Sequence, residues 1–192
     1  EIEVDGSCNP INYPDIVKSE AEVVVVGRSG LFSLDKNIVE AWNKMEAYMN
    51  YSMTIYLHAD LVGNPLKEAI KEWLLKNNYT VIDLYTDGEL EYPECAKQLV
   101  GQVLISPYNT GILCCGTGLG MSMVANRFKG IRAAVVSDVY SAKMAKEHND
   151  ANVLCLGSRV VTKERVYTIV ETFLQSHFLF GKHTPRVNRF DN

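Results

Sequence analysis

Gly111-Ile-Leu-Cys-Cys-Gly-Thr-Gly-Leu-Gly-Met-Ser122 is an apolar run that ends in paired cysteines and passes through alternating glycines into a helix. A strand that turns directly into a helix is the junction of a parallel α/β sheet, where ligands gather beyond the carboxyl ends of the strands. Glycines there let backbone N–H groups crowd around an anion, and the helix start adds about half a positive charge. Gly116, Gly118 and Gly120 fall two apart. That is not the GxGxxG spacing of a dinucleotide fold and counts against a nucleotide-binding module. Cys115 sits at the strand end beside this electropositive turn, where a thiol should ionise readily and serve as a base. Cys114 reads as a buried structural cysteine.

Outward from this junction the alternation continues. Met53–Ala59, Thr80–Tyr85, Gly111–Cys115, Ile131–Val136 and Val153–Leu156 read as strands. Leu66, Ile70, Trp73 and Leu74 recur at helical spacing, as do Ala96, Leu99, Val100 and Val103. Ser122–Phe128, Ser141–His148 and Glu164–Leu174 supply further helices. Five strands interleaved with helices predict an α/β fold over residues 53–192, a three-layer αβα Rossmann-like domain with a five-stranded parallel sheet.

Residues 1–52 form a separate piece, with two short strands, Glu1–Val4 and Ala21–Val26, and one helix near Ile38–Tyr48. That is too little to bury a core alone. The piece holds nine acids against four bases, or −5, which leaves the rest of the chain at +1. The first methionine is Met45, so the piece is expected to be either the tail of something longer or the product of processing.

Over all 192 residues, 19 Lys and Arg stand against 23 Asp and Glu, a balance that argues against a nucleic-acid partner. No apolar run reaches the roughly 18 residues of a membrane span, so no membrane partner is expected. The five cysteines are odd in number and lack CxxC spacing, which indicates neither a disulfide framework nor a zinc site and fits a reducing cytoplasm. No cofactor is expected. Lys182, His183, Arg186 and Arg189 form a weakly basic tail suited to a small anionic ligand.

Cys115-Gly-Thr-Gly-Leu-Gly-Met-Ser122 strongly resembles the loop of ribose-5-phosphate isomerase type B, a group that includes the galactose-6-phosphate isomerase subunits. Gly130-Ile-Arg-Ala-Ala134, Glu147-His-Asn-Asp-Ala-Asn-Val153 and Gly181-Lys-His-Thr-Pro-Arg-Val187 extend the likeness from Met53 to about Phe190. The resemblance implies metal-independent aldose–ketose isomerisation of a sugar phosphate through a 1,2-enediolate. Cys115 would move the proton between C1 and C2, with the Thr117 hydroxyl beside it. The amides of Gly116, Gly118 and Gly120, in a loop that ends at Ser122, would hold the enediolate oxygen. His148 matches the histidine of ring opening, with Asn149 at the sugar, although a His-Asn pair at a helix end also suits a cap. Arg186 matches a phosphate-binding arginine, and Lys182 stands where the family usually has another. Asp60 and Tyr92 match positions at the sugar. The family implies a homodimer or homotetramer whose site is shared between subunits.

One departure concerns the first turn, usually Asp-His-x-Gly, which here reads Asp60-Leu61-Val62-Gly63. Leu61 cannot donate to a phosphate or hydroxyl, and His58 should point away from it on strand periodicity. This loss motivates a rival reading, a catalytically silent sugar-phosphate-binding or regulatory subunit of the same fold.

Residues 1–52 carry a second resemblance. Glu1-Ile-Glu-Val-Asp-Gly-Ser-Cys-Asn9 and Val26-Gly-Arg-Ser-Gly-Leu-Phe32 are similar to the end of a D-allulose-6-phosphate 3-epimerase, a TIM barrel of the ribulose-phosphate epimerase family. This implies a short βαβα barrel remnant, in which Asp5 would be a relic of the acid–base residue. Gly6, Gly27, Arg28 and Ser29 would be relics of the phosphate loops. Fusion to such an epimerase points to allose 6-phosphate as a substrate beside ribose 5-phosphate, in allose catabolism or the pentose phosphate pathway.

Overall fold

The structure, a computed structural model, describes residues 3–4, 23–24, 39, 53–85 and 90–191. The chain divides into two compact units, Glu1–Ser52 and Met53–Asn192. In the first, strands β1 (Glu3–Val4) and β2 (Val23–Val24) pair in parallel, and Val39 is helical. The residues of the barrel resemblance, Asp5, Gly6, Gly27, Arg28 and Ser29, lie outside the described residues.

The second unit is built on five parallel strands: β3 (Thr54–Ala59), β4 (Thr80–Asp83), β5 (Thr110–Cys115), β6 (Ala133–Val135) and β7 (Val153–Gly157). Their order across the sheet is β4-β3-β5-β7-β6. β5 and β7 are buried along their whole length, as the apolar runs of central parallel strands require. The helices are α1 (Asn64–Lys76), α2 (Tyr92–Val103), α3 (Leu119–Ala125), α4 (Val139–Glu147) and α5 (Lys163–Gln175). A 3₁₀ turn at Gly181–His183 and a short α6 (Thr184–Val187) follow.

Two apolar clusters fill the two sides of the sheet. Ile55, Leu57, Ile112 and Cys114 face α1, α4 and α5. Tyr56, Leu113, Cys115 and Cys155 face α2 and α3. The alternation of side chains along β5 therefore sends its two cysteines into different layers.

Sequence and structure differ at several element boundaries, most clearly in α3, β4 and β6. Helix α3 starts at Leu119 rather than Ser122, because Gly118 takes φ of 79° and turns the strand into a helix within three residues. β4 stops at Asp83, whose carboxylate turns back to accept the Tyr85 amide at 3.0 Å. β6 is three residues long, shorter than Ile131–Val136.

The chain runs from β3 outward to β4 and then returns to β5 on the other side of β3. That reversal opens a crevice between the carboxyl ends of β3 and β5, the usual ligand position in such sheets. No helix among the described residues is long and apolar enough to cross a membrane.

Candidate active site

Cys115 ends β5 on one lip of this crevice. Its Sγ accepts a hydrogen bond from the Gly118 amide at 3.1 Å. The loop is fastened from the neighbouring strand end, where the Ser158 amide donates to the Cys115 carbonyl at 2.8 Å and the Arg159 amide to the Gly116 carbonyl at 3.1 Å. Thr117 is exposed and its Oγ1 accepts from the Leu119 amide at 3.4 Å. The Ser122 hydroxyl points into its own helix and donates to the Leu119 carbonyl at 2.8 Å. Burial pushes the Cys114 and Cys155 pKa values up, and Cys95 up to about 11.

Asp60 follows β3 on the opposite lip, its amide donating to the Cys114 carbonyl at 3.3 Å. Its Oδ1 accepts from the Gly63 amide at 2.8 Å and shapes the entry to α1. Tyr92 opens α2 and lays its ring on the glycine loop, since a Cβ on Gly120 would stand 2.7 Å from that ring. Leu61 is 73% exposed on this rim. His58 does not take its place. It is fully buried, with Nε2 against Gln98 Oε1 at 2.9 Å and Nδ1 accepting the Ala59 amide at 2.9 Å.

His148, Asn149, Lys182 and Arg186 come together elsewhere. His148 caps the C-terminus of α4, whose end precedes the start of β7 at the opposite edge of the sheet. The tail folds onto this end, where the Leu179 amide donates to the Glu147 carbonyl at 3.0 Å. There the His183 ring stacks on His148, with centroids 4.3 Å apart and planes at 12°. The five steps of β5 from Thr110 to Cys115 separate the two ends, roughly 16 Å at about 3.3 Å per step. Within one chain, Cys115 and His148 do not meet.

Arg159 is a residue that sequence reading missed. Its side chain lies at 3.8 Å from the place of a Gly116 Cβ, so it adds positive charge beside the loop. The available signal was its position two residues past the end of β7, the strand next to β5. A cavity of about 570 Å³ opens instead beside β6 and α4, with Arg132, Tyr140, Asn149 and Phe190 in its walls. It does not reach Cys115, so strand-end chemistry rather than cavity size marks the site. No three His, Cys, Asp or Glu among the described residues are grouped to hold a metal ion.

The ribose/galactose isomerase family matches residues 55–190, a span that includes both clusters. The chain belongs to that family. The probable ribose-5-phosphate isomerase B of Mycoplasma pneumoniae is 42% identical over 144 residues, covering 73% of this chain and 95% of that protein. The ribose-5-phosphate isomerase B of Escherichia coli is 42% identical over 130 residues, 67% of this chain and 87% of that one. Among solved structures, ribose 5-phosphate isomerase from Thermotoga maritima superposes with a TM-score of 0.70 at 39% identity, over 73% of this chain and 99% of that one. The Mycoplasma genitalium enzyme, solved with bound ribulose-5-phosphate, gives 0.69 at 39% identity over 73% and 95%. This ribose/galactose isomerase family member is an isomerase with an α/β, Rossmann-like fold.

Proposed function

We propose that this chain interconverts the aldose and ketose forms of a sugar phosphate, ribose 5-phosphate with ribulose 5-phosphate, through a 1,2-enediolate. Allose 6-phosphate with allulose 6-phosphate is the hexose counterpart that the resemblance of residues 1–52 suggests. The observation that carries the reading is the Cys115 thiol at the end of β5, on the crevice, with the Gly118 amide on its sulfur. As thiolate, Cys115 removes the proton from C2 of the open aldose, and the electron pair moves into the C1–C2 bond. The C1 oxygen gains a proton. Return of the sulfur's proton to C1, with loss of the O2 proton, yields the ketose. The Thr117 hydroxyl and the loop amides from Gly116 to Gly120 stabilise charge on the enediolate oxygen.

Ring opening precedes this step. His148 takes the proton of the anomeric hydroxyl and returns one to the ring oxygen as the C1–O bond breaks. Lys182 and Arg186 hold the phosphate, with lysine giving charge without a bidentate fork. Asp60, Tyr92 and Asn149 contact sugar hydroxyls, and Ser122 shapes the loop through Leu119.

Because Cys115 and His148 occupy opposite edges, a complete site takes one cluster from each of two chains. A two-fold homodimer pairs each cluster with its complement and makes two sites; a homotetramer would repeat the arrangement. The deciding assay mixes the protein with ribose 5-phosphate and with allose 6-phosphate and follows ketose. Ketose from either supports the reading. No ketose from either, with both sugars still bound, would favour the silent subunit suggested by Leu61.

A further inference from the structure

His183 is only 6% exposed, although its neighbours Lys182 and Arg186 lie open to solvent. Phosphate capture by those two cations does not require a buried imidazole between them. The backbone is nevertheless arranged to deliver one. Leu179 is tied to the end of α4, and Phe180 and Gly181 both take positive φ, 52° and 55°, which folds the chain back. The His183 amide then donates to the Phe180 carbonyl at 3.0 Å. A non-glycine residue at positive φ is an unfavourable conformation, held here by the surrounding tail. What the strained turn secures is the near-parallel stack of His183 on His148.

We propose that His183 is the positioning residue for His148, fixing the plane of that ring for the proton movements of ring opening. The inference rests on the isomerase reading above. A histidine at a helix C-terminus, half exposed, would otherwise swing between rotamers, and misplacement by about 1 Å is enough to slow a proton transfer substantially. The stack also divides the protons. Burial pushes the His183 pKa down, and charge on His148, Lys182 and Arg186 pushes it the same way. Of the carboxylates at this end of the fold, Glu147 pairs with Lys143 at 3.6 Å, Asp150 with Arg132 at 2.7 Å, and Asp191 accepts the Gly130 amide at 3.0 Å. These causes favour the neutral form of His183, and the proton exchanged at ring opening is assigned to His148.

The test uses His183→Ala, His183→Phe and, as a control, His148→Asn in the full chain. Turnover of ribose 5-phosphate is compared with wash-in of solvent deuterium at C1 of ribulose 5-phosphate, a step that needs Cys115 but no ring opening. His183→Ala should lower kcat about tenfold or more with KM nearly unchanged, and leave deuterium wash-in within about threefold. His183→Phe keeps a flat ring without a titrating nitrogen. It should recover about half or more of the lost rate and show one fewer ionisation than wild type on the acid side of its kcat profile. Equal losses in both reactions, a rise in KM alone, or an unaltered pH profile in His183→Phe would overturn the proposal. A wild type that makes no ketose would sink the isomerase reading beneath it, and a His148→Asn variant with full kcat would remove the ring-opening role that His183 is proposed to serve.

Discussion

The amide of Gly118 lies 3.1 Å from the sulfur of Cys115, three residues back along the same loop. Cys114, the adjacent residue, has no such donor among the described residues and is fully buried in the opposite layer. Cys115→Ala should lower kcat by at least about a hundredfold while phosphate binding stays nearly intact, because loss of a general base costs on the order of 10² to 10⁴. Cys114→Ala should keep most of its turnover and lose stability instead. Steady-state kinetics of the two variants decide the assignment, and the reverse pattern would refute it.

Gly118→Ala probes the loop rather than the sulfur. Its φ of 79° is unfavourable for a side chain, and a Cβ there would stand 3.1 Å from the Cys155 backbone. The cost should be about 1–2 kcal/mol, a Tm lower by roughly 3–8 °C. Displacement of the amide from Cys115 should also cut kcat more than it raises KM. Calorimetry beside kinetics separates the two effects.

Mixing two inactive variants tests the shared site. In a dimer of one Cys115→Ala chain and one His148→Asn chain, one site collects both lesions and the other collects neither. Random exchange makes half the dimers mixed, so the mixture should regain about a quarter of wild-type activity. A mixture as inactive as its components, with exchange shown by mass spectrometry, would place both residues in one chain's site.

The buried cation Lys67 predicts an acid response. Its side chain is fully buried, with Nζ at 2.8 Å from Asp83 and 2.6 Å from Glu68. Burial pulls the Asp83 pKa up, but hydrogen bonds from Lys67 and Lys71 outweigh it and leave it below the usual carboxylate value. A carboxylate held below its unfolded pKa, roughly 3.9, contributes stability above that pH and loses it as pH falls through the folded value. Wild type should therefore lose stability below about pH 4 more steeply than Lys67→Met. The variant should cost on the order of 3 kcal/mol at pH 7. Urea titrations at several pH values give both quantities.

Trimming to Met53 should leave isomerisation intact, since the second unit has its own core and holds every proposed site residue. The trimmed chain should keep kcat/KM within about a factor of three, or about 0.7 kcal/mol of transition-state stabilisation. Loss of turnover in a folded trimmed chain would assign the first unit a part in the reaction.

The sheet was legible because each strand is a short apolar run closed by a turn, and β5 with its glycine loop is visible in twelve residues. The start of α3 was harder to place, because one left-handed glycine shortened the turn that Ser122 was expected to end. Arg159 was hidden because an arginine after a strand has no local pattern, and its relevance comes from β7 lying beside β5. The stack of His183 on His148 joins residues 35 positions apart through a strained turn, and no periodicity announces it. His58 illustrates the converse. Strand alternation alone turned it away from Leu61, and the structure finds it bonded to Gln98 in the core.

The length of β5 has a consequence for how this protein must be handled. A chain whose proposed base, Cys115, and proposed ring-opening imidazole, His148, sit at opposite ends of a strand would be, alone, two unmatched halves. Below the dissociation constant of the pair, specific activity should fall in proportion to dilution, and total rate should follow the square of chain concentration. A stock that looks inert in a dilute assay would then be unassembled rather than damaged, and concentrating it would restore the rate.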